Sequence, residues 1–463
     1  MTKCPVSIKY QHVEQIESYY DQLSQHLFSQ LQAQEEASLY LQTEDQSYLR
    51  LNNSQVRQST YVNQKEIELV LQKNHRKISI GSNLTGHFQN DKDKLSHILN
   101  HARSECESLP PDPYLSPLQL HESTDQKFSG QLPPLEEFIN DLCQHTQGSD
   151  FTGLAATGPM IRASANSLGQ RHWFSTESFF VDYSLFTKNV SGENKAVKGC
   201  YANRDFSTKE FLSQLETSKL MLETMKLPTI EVPKGSHRCF LAPAAVAEIM
   251  GMFSWGAVSF DSYKKGTSAF QKIANNEVQL SPLFTLKENF QLGLCPRFNS
   301  SGEIAPSELT IIENGRMKNF LISARSAKEY SVTSNGADYN MWGGEYLRSP
   351  EILGGNLPES EALRALDTGL YISNLHYLNW SDFQNARLTG MTRYACVWVE
   401  KGQIKGPIRD LRFDESLFRA FGSELEALTL ETKIDPAIDT YHRRALGGKK
   451  CPGMLIKDFR FTL

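Results

Sequence analysis

Several chemistries can be set aside by what this chain does not contain. No two of its eight cysteines (Cys4, Cys106, Cys143, Cys200, Cys239, Cys295, Cys396 and Cys451) stand in a CxxC spacing. In a chain of 463 residues, such scatter reads as reduced, mostly buried thiols in a cytosol, not as a disulfide framework. There is no GxSxG nucleophile elbow and no HExxH zinc helix. Gly81 to Gly86 has the spacing of a phosphate-binding loop, but His87-Phe88 follows where Lys-Ser/Thr is needed, so a turn is expected there. A basic excess is missing too. The 48 Lys and Arg against 53 Asp and Glu leave a net charge of −5, which gives no general pull toward nucleic acid or an anionic membrane. The start, MTKCPVSIKYQHVEQIESYY, has no apolar core for a signal peptide, so a cytoplasmic location is expected.

Long apolar runs are also scarce. The one candidate, Phe240 to Phe260, is interrupted by Pro243 and Glu248. A central acid costs roughly 2.5–3.5 kcal/mol on membrane insertion scales. The run therefore reads as a helix buried in a large core, with no membrane partner expected.

What is present is ordinary soluble composition, 39% apolar and 22% charged, in a chain long enough for two or three domains. Residues 8–34 read as a polar helix, followed by β-branched and aromatic stretches that read as antiparallel strands. A helix is expected at 92–106. The prolines of LPPDPYLSPLQ (109–119) cannot continue it, which places a linker at 107–133. Helices at 134–146 and 207–226 flank further strands, and LRLNNSQVRQS faintly echoes MIRASANSLGQRH, as an internal repeat would. A second proline-marked boundary lies near 226–239. Beyond it, Asn314-Gly315 and Lys401-Gly402 mark hairpins, and Ser360 is placed to cap a short helix over 361–367. The expected class is α+β: an N-terminal α+β domain (1–106), a Pro-rich linker (107–133), a middle α+β domain (134–236) and a β-rich C-terminal domain (237–463).

Few residues suggest metal chemistry. His97, His101 and Glu105 would share one helix face, and the plain alternative is a solvated face. His121-Glu122 falls in the linker. His376 could line a pocket or simply end a strand. Glu248 is the anomaly. A carboxylate in the run AVAEIMGMF must be paired (Arg393 is one candidate), hydrogen-bonded in the core, or facing a site.

That run, together with YKKGTSAF (263–270), LISARSAKEY (321–330) and above all GLYISNLHYLNWSDFQNARLTGMTRYACVWVEKGQIKGPIRDLRF (369–413), resembles the TldD/PmbA family of metallopeptidases. Active members of that family carry an HExxxH helix and a cysteine near the C-terminus. Two imidazoles and a thiolate would hold Zn²⁺ while the glutamate activates its bound water. Carried onto this chain, the resemblance puts Ala247 and Met252 where the histidines belong, Glu248 on the glutamate and Gly447 on the cysteine. Alanine and glycine offer no donor, and a thioether is a poor zinc ligand. Glu248 is then a remnant general base, and Cys451 could substitute only if the chain shifted.

The resemblance implies the zinc-less PmbA/TldE type. Such a chain needs no cofactor of its own and pairs with a TldD-type zinc-bearing subunit in a hollow heterodimer that degrades or matures unfolded peptides. Two other readings stay open. One is a metal-independent hydrolase using Glu248 with Lys264, Lys265, Ser268 or His376. The other is a peptide-binding or structural homodimer.

Overall fold

The computed structural model describes residues 13–120, 122–340 and 344–462. Its first half runs α1 (Val13–Phe28), β1 (Glu36–Asn52), β2 (Gln55–Lys73), β3 (Arg76–Asn83), α2 (Phe88–Ser108), β4 (Thr124–Phe128), α3 (Leu135–Thr146), β5 (Asp150–Asn166), β6 (Arg171–Lys188), β7 (Asn194–Asn203) and α4 (Thr208–Thr224). A helix, a three-strand meander and a second helix thus occur twice. The faint echo in the sequence falls on the β1–β2 and β5–β6 hairpins. The stretch expected as a linker, 107–133, contains β4, which pairs in parallel with the first part of β6. The two meanders share one sheet, because β1 pairs antiparallel with β5.

Alternation along these long strands sorts the sheet into two faces. Odd-numbered residues such as Leu39, Leu41, Leu49, Ile161, Trp173, Val181 and Tyr183 are buried under the four helices. Even-numbered residues form the other face, which is rich in polar groups and turns toward the second half of the chain. There Arg444 is buried: its guanidinium donates to Gln46 Oε1 (2.9 Å) and to Ser178 O (2.8 Å), and its amide to Glu44 (2.7 Å). His172 stacks on Phe298 at 5.0 Å between ring centroids.

The second half runs β8 (Gly235–Leu241), α5 (Pro243–Phe253), α6 (Phe260–Lys264), α7 (Gln271–Ala274), β9 (Leu286–Asn289), β10 (Glu308–Glu313), β11 (Arg316–Met317), α8 (Ala324–Tyr330), β12 (Tyr339–Asn340), β13 (Gly344–Glu345), β14 (Pro350–Ile352) and α9 (Ala362–Leu366). It continues through β15 (Gly369–Ile372), β16 (Asn374–Asp382), β17 (Arg387–Arg393), β18 (Val397–Glu400), β19 (Gln403–Pro407), β20 (Arg412–Ser416), β21 (Leu425–Pro436) and β22 (Gly448–Phe461). All these strands except β12 and β13 join one large sheet, in which β22 pairs with β8, β14, β20 and β21. The fold is α+β, with sheets and helices mixed.

Both hairpin signals hold. Asn314 (φ 49°) with Gly315 (φ 77°), and Lys401 (φ 51°) with Gly402 (φ 71°), adopt the left-handed conformations that two-residue turns need. Ser360 does not cap its helix; a 3₁₀ turn at Glu359–Glu361 leads into α9 instead. No helix among the described residues is long and apolar enough to cross a membrane. The apolar run is split between β8 and α5, and α5 spans only about 16 Å at 1.5 Å per residue.

Candidate functional site

Proline at the first helical position starts α5 with its φ already set and no amide to satisfy. Ala245, Val246, Ala247, Ile249, Met250, Met252 and Phe253 point into the C-terminal core. Ala247 is fully buried and Met252 is 5% exposed. One narrow stripe, Ala244, Glu248, Gly251 and Trp255, stays open. Glu248 is therefore not a core carboxylate. It is exposed, with no hydrogen bond or ion pair among the described residues. Arg393, one candidate partner, instead lies at the end of β17 over the ring of Tyr394.

The surroundings of Glu248 are charged. Asp435 on β21 and Lys449 on β22 are cross-strand partners, with Nζ 3.6 Å from Oδ2. The Lys449 stem lies over α5, since a Cβ built on Gly251 would sit 3.5 Å from its Cε. Across from them, on the even face of the N-terminal sheet, Asp182 forms an ion pair with Lys198 beside Cys200. Crowding by protein raises the Glu248 carboxyl above its ordinary range; Lys449 and Lys198 pull it back, and Asp435 adds to the rise. The same desolvation raises Asp182 and Asp435. On the N-terminal sheet, a cavity of about 700 Å³ opens over Arg50, Asn52, Thr152, Asp182 and Lys198.

The donor set does not fit a zinc ion. Ala247 and Met252 face the core, and Gly447 has no side chain. Cys451 is buried and its thiol donates to Pro243 O at 3.1 Å, so it meets the start of α5 and not Glu248. Burial, reinforced by Asp435, pushes that thiol up to about 12, and it stays protonated. No group of three or more His, Cys, Asp or Glu among the described residues is placed to hold a metal. His97, His101 and Glu105 are exposed on α2. His121 lies outside the described residues, as does Cys4; the other seven cysteines are unpaired.

The remaining candidates have local roles. Lys264 lies over the ring of Phe260, and Lys265 pairs with Asp261 at 2.7 Å. Ser268 is buried and donates to Ala257 O at 2.7 Å. His376 lines a separate cavity with Arg393 and Asp410. The Gly81–Gly86 turn closes on a protein anion: the Asp91 carboxylate accepts from the amides of Thr85 and Gly86, both at 2.9 Å, and from Tyr19 Oη at 2.5 Å. Sequence reasoning missed Asp182, Lys198, Asp435 and Lys449. The available signal was an acid inside the apolar strand FFVDYSLF.

Residues 234–463 match the PmbA/TldA metallopeptidase C-terminal domain family. Three solved structures share the fold over nearly the whole chain. TldE from Thermococcus kodakarensis is 14% identical, with TM-score 0.75 over 97% of this chain and all of that one. A candidate modulator of DNA gyrase from Bacteroides thetaiotaomicron is 14% identical, with TM-score 0.74 over 96% of this chain and 98% of that one. Another from Thermotoga maritima is 13% identical, with TM-score 0.73 over 96% of this chain and all of that one. No curated protein sequence matches.

Proposed function

We propose that this chain, whose residues 234–463 match the PmbA/TldA metallopeptidase C-terminal domain, is the zinc-less subunit of a two-subunit TldD/PmbA-type peptidase. The observation that carries this reading is the orientation of α5. The two positions that would need imidazoles, Ala247 and Met252, are core residues, and only Glu248 reaches the open face. The chain's contribution is then a wall. Glu248, Lys449 and Asp435 from one half face Asp182 and Lys198 from the other, a surface of mixed charge next to the cavity over Asp182 and Lys198. Extended peptide lies along such a surface while a zinc-bearing TldD-type subunit supplies the hydrolytic site. The fold likeness to a TldE structure supports the same reading.

The test is gentle purification of the chain from its native extract, with intact-complex mass and zinc content read on one sample. A stoichiometric complex with a zinc-bearing HExxxH relative is the expected result. A metal-free homo-oligomer would remove the heterodimer reading.

A further inference from the structure

A second cavity, of about 490 Å³, opens where the tip of the β6–β7 hairpin meets β16, β17 and the segment after β19. Its lining carries three basic side chains, Lys195, Arg393 and Arg409, and two acids, Glu193 and Asp410. Lys195 is held by Glu193 at 3.4 Å, and Arg409 by Glu231 at 2.8 Å. Arg393 is different: its guanidinium is exposed in the cavity and has no ion pair or hydrogen bond among the described residues. Asp410 and His376 face the same space without ion pairs, and the His376 Nδ1 atom is buried with no hydrogen-bond partner. Burial lowers the imidazole, helped by Arg393, and raises the Asp410 carboxyl. Both shifts run toward the neutral form, and both groups stand beside Arg393 in the cavity lining.

The backbone is held in an unusual state beside these groups. Tyr377 (φ 53°) and Tyr394 (φ 64°) are both left-handed, a conformation bulky residues rarely adopt. Tyr377 is 81% exposed and lies where the β16–β17 register shifts between His376 and Asn379, and Arg393 lies over the Tyr394 ring at 4.9 Å. Such backbone clusters at ligand-holding sites.

We infer that this cavity binds a carboxylate, and that its occupant is the free C-terminal carboxylate of an extended peptide, with Arg393 as the bidentate partner. A planar guanidinium fork matches the two carboxylate oxygens in geometry and charge. The direction of the chain follows from the sheet. Asp182, Ser184 and Phe186 lie on one face of β6, so the cavity at Phe186 sits about 13 Å from the Asp182–Lys198 pair, at 3.3 Å per residue. That distance is about four residues of extended peptide. A chain end anchored at Arg393 therefore reaches the charged wall opposite Glu248. The inference rests on the peptide-handling reading above and adds an end-specific anchor to it.

The experiment uses the full chain, in complex with its partner if one co-purifies, and calorimetric titration with a hexapeptide carrying either a free C-terminal acid or a C-terminal amide. The acid should bind at least tenfold more tightly. Arg393→Gln should abolish that preference, and Arg393→Lys should restore part of it, since the charge returns without the fork. Equal binding of acid and amide, binding of neither, or an acid preference that survives Arg393→Gln would each overturn the inference. Association with a zinc-bearing relative is read by intact-complex mass on the unsubstituted chain, so it reports on the subunit reading separately from the peptide titration. If that association stands and the end preference is absent, the anchor alone is wrong.

Discussion

Glu288 shows how far one buried side chain can move the energetics of this protein. It is 3% exposed on β9, and one carboxyl oxygen, Oε1, accepts from the amides of Arg348 (2.9 Å) and Ser349 (3.0 Å). Desolvation raises it from 4.5 to about 7, against the opposing pull of Arg348 and those two amides. A raised acid holds its proton in the folded state at pH values where the unfolded chain has released it. Its contribution is therefore full below pH 4.5 and is lost as pH rises toward 7. At 1.36 kcal/mol per pH unit the loss is about 3 kcal/mol. Urea unfolding at pH 5 and pH 7.5 should show wild type losing that much more stability than Glu288→Gln, whose amide oxygen can accept the same two bonds. Equal losses in the two proteins would exclude Glu288 as the source. Glu248 is the opposite kind of residue, an acid that looks buried in sequence and is open in space. The open stripe of α5 and the turn after it is Ala244, Glu248, Gly251 and Trp255, and three of its four members are not polar. Hydropathy could not separate the stripe from the core around it. What was legible was the conflict: a charge without a partner in an apolar run.

At the scale of elements, strands and turns were the most readable. Asn314-Gly315 and Lys401-Gly402 require left-handed φ, so local chemistry alone decides those hairpins. The helices expected at 92–106, 134–146 and 207–226 correspond to α2, α3 and α4. Short β4 was not legible, because its five residues, TDQKF, alternate only weakly and their pairing partner lies some fifty residues later. Gly158 marks another non-local requirement. It has φ +143°, and a Cβ there would fall 2.1 Å from Asp45 O, at the point where the β1–β5 register is interrupted. The neighbouring strand has no room to retreat, since Gln46 Nε2 bonds to Pro159 O at 3.0 Å. Gly158→Ala should therefore cost about 1–3 kcal/mol in chemical denaturation, the range for forced overpacking. A cost below 0.5 kcal/mol would mean that β1 and β5 slide more freely than their pairing suggests.

For the whole molecule, the site depends on how the two sheets are held together, and that is where the sequence was least informative. The cluster around Glu248 draws on α5, β6, β7, β21 and β22, and no spacing rule connects those segments. Arg444 is the clearest fastener. Its side chain bonds to Gln46 and Ser178 and lies over the ring of Phe180, while its amide meets Glu44. Arg444→Met would keep the apolar stem and leave those acceptors unpaired. The expected cost is on the order of 3 kcal/mol, the upper part of the range for hydrogen bonds to a charged group. Scanning calorimetry should show a lower transition temperature and unfolding of the two halves at separate temperatures. A single transition at the wild-type temperature would show that the remaining contacts suffice without this arginine.

The two halves differ in when they can form. All seven strands of the N-terminal sheet lie within residues 36–203, so that sheet can assemble while translation is still under way. The C-terminal sheet cannot, because β22 is its central partner and is the last element described. Before residues 448–461 leave the ribosome, β8 can pair with β15 and α5 can pack on β16, but the strips β9–β14, β8–β15 and β17–β20 are not yet joined through β22. The core around α5 therefore stays incomplete until the last described strand is made. That interval is where this protein would most need chaperone protection.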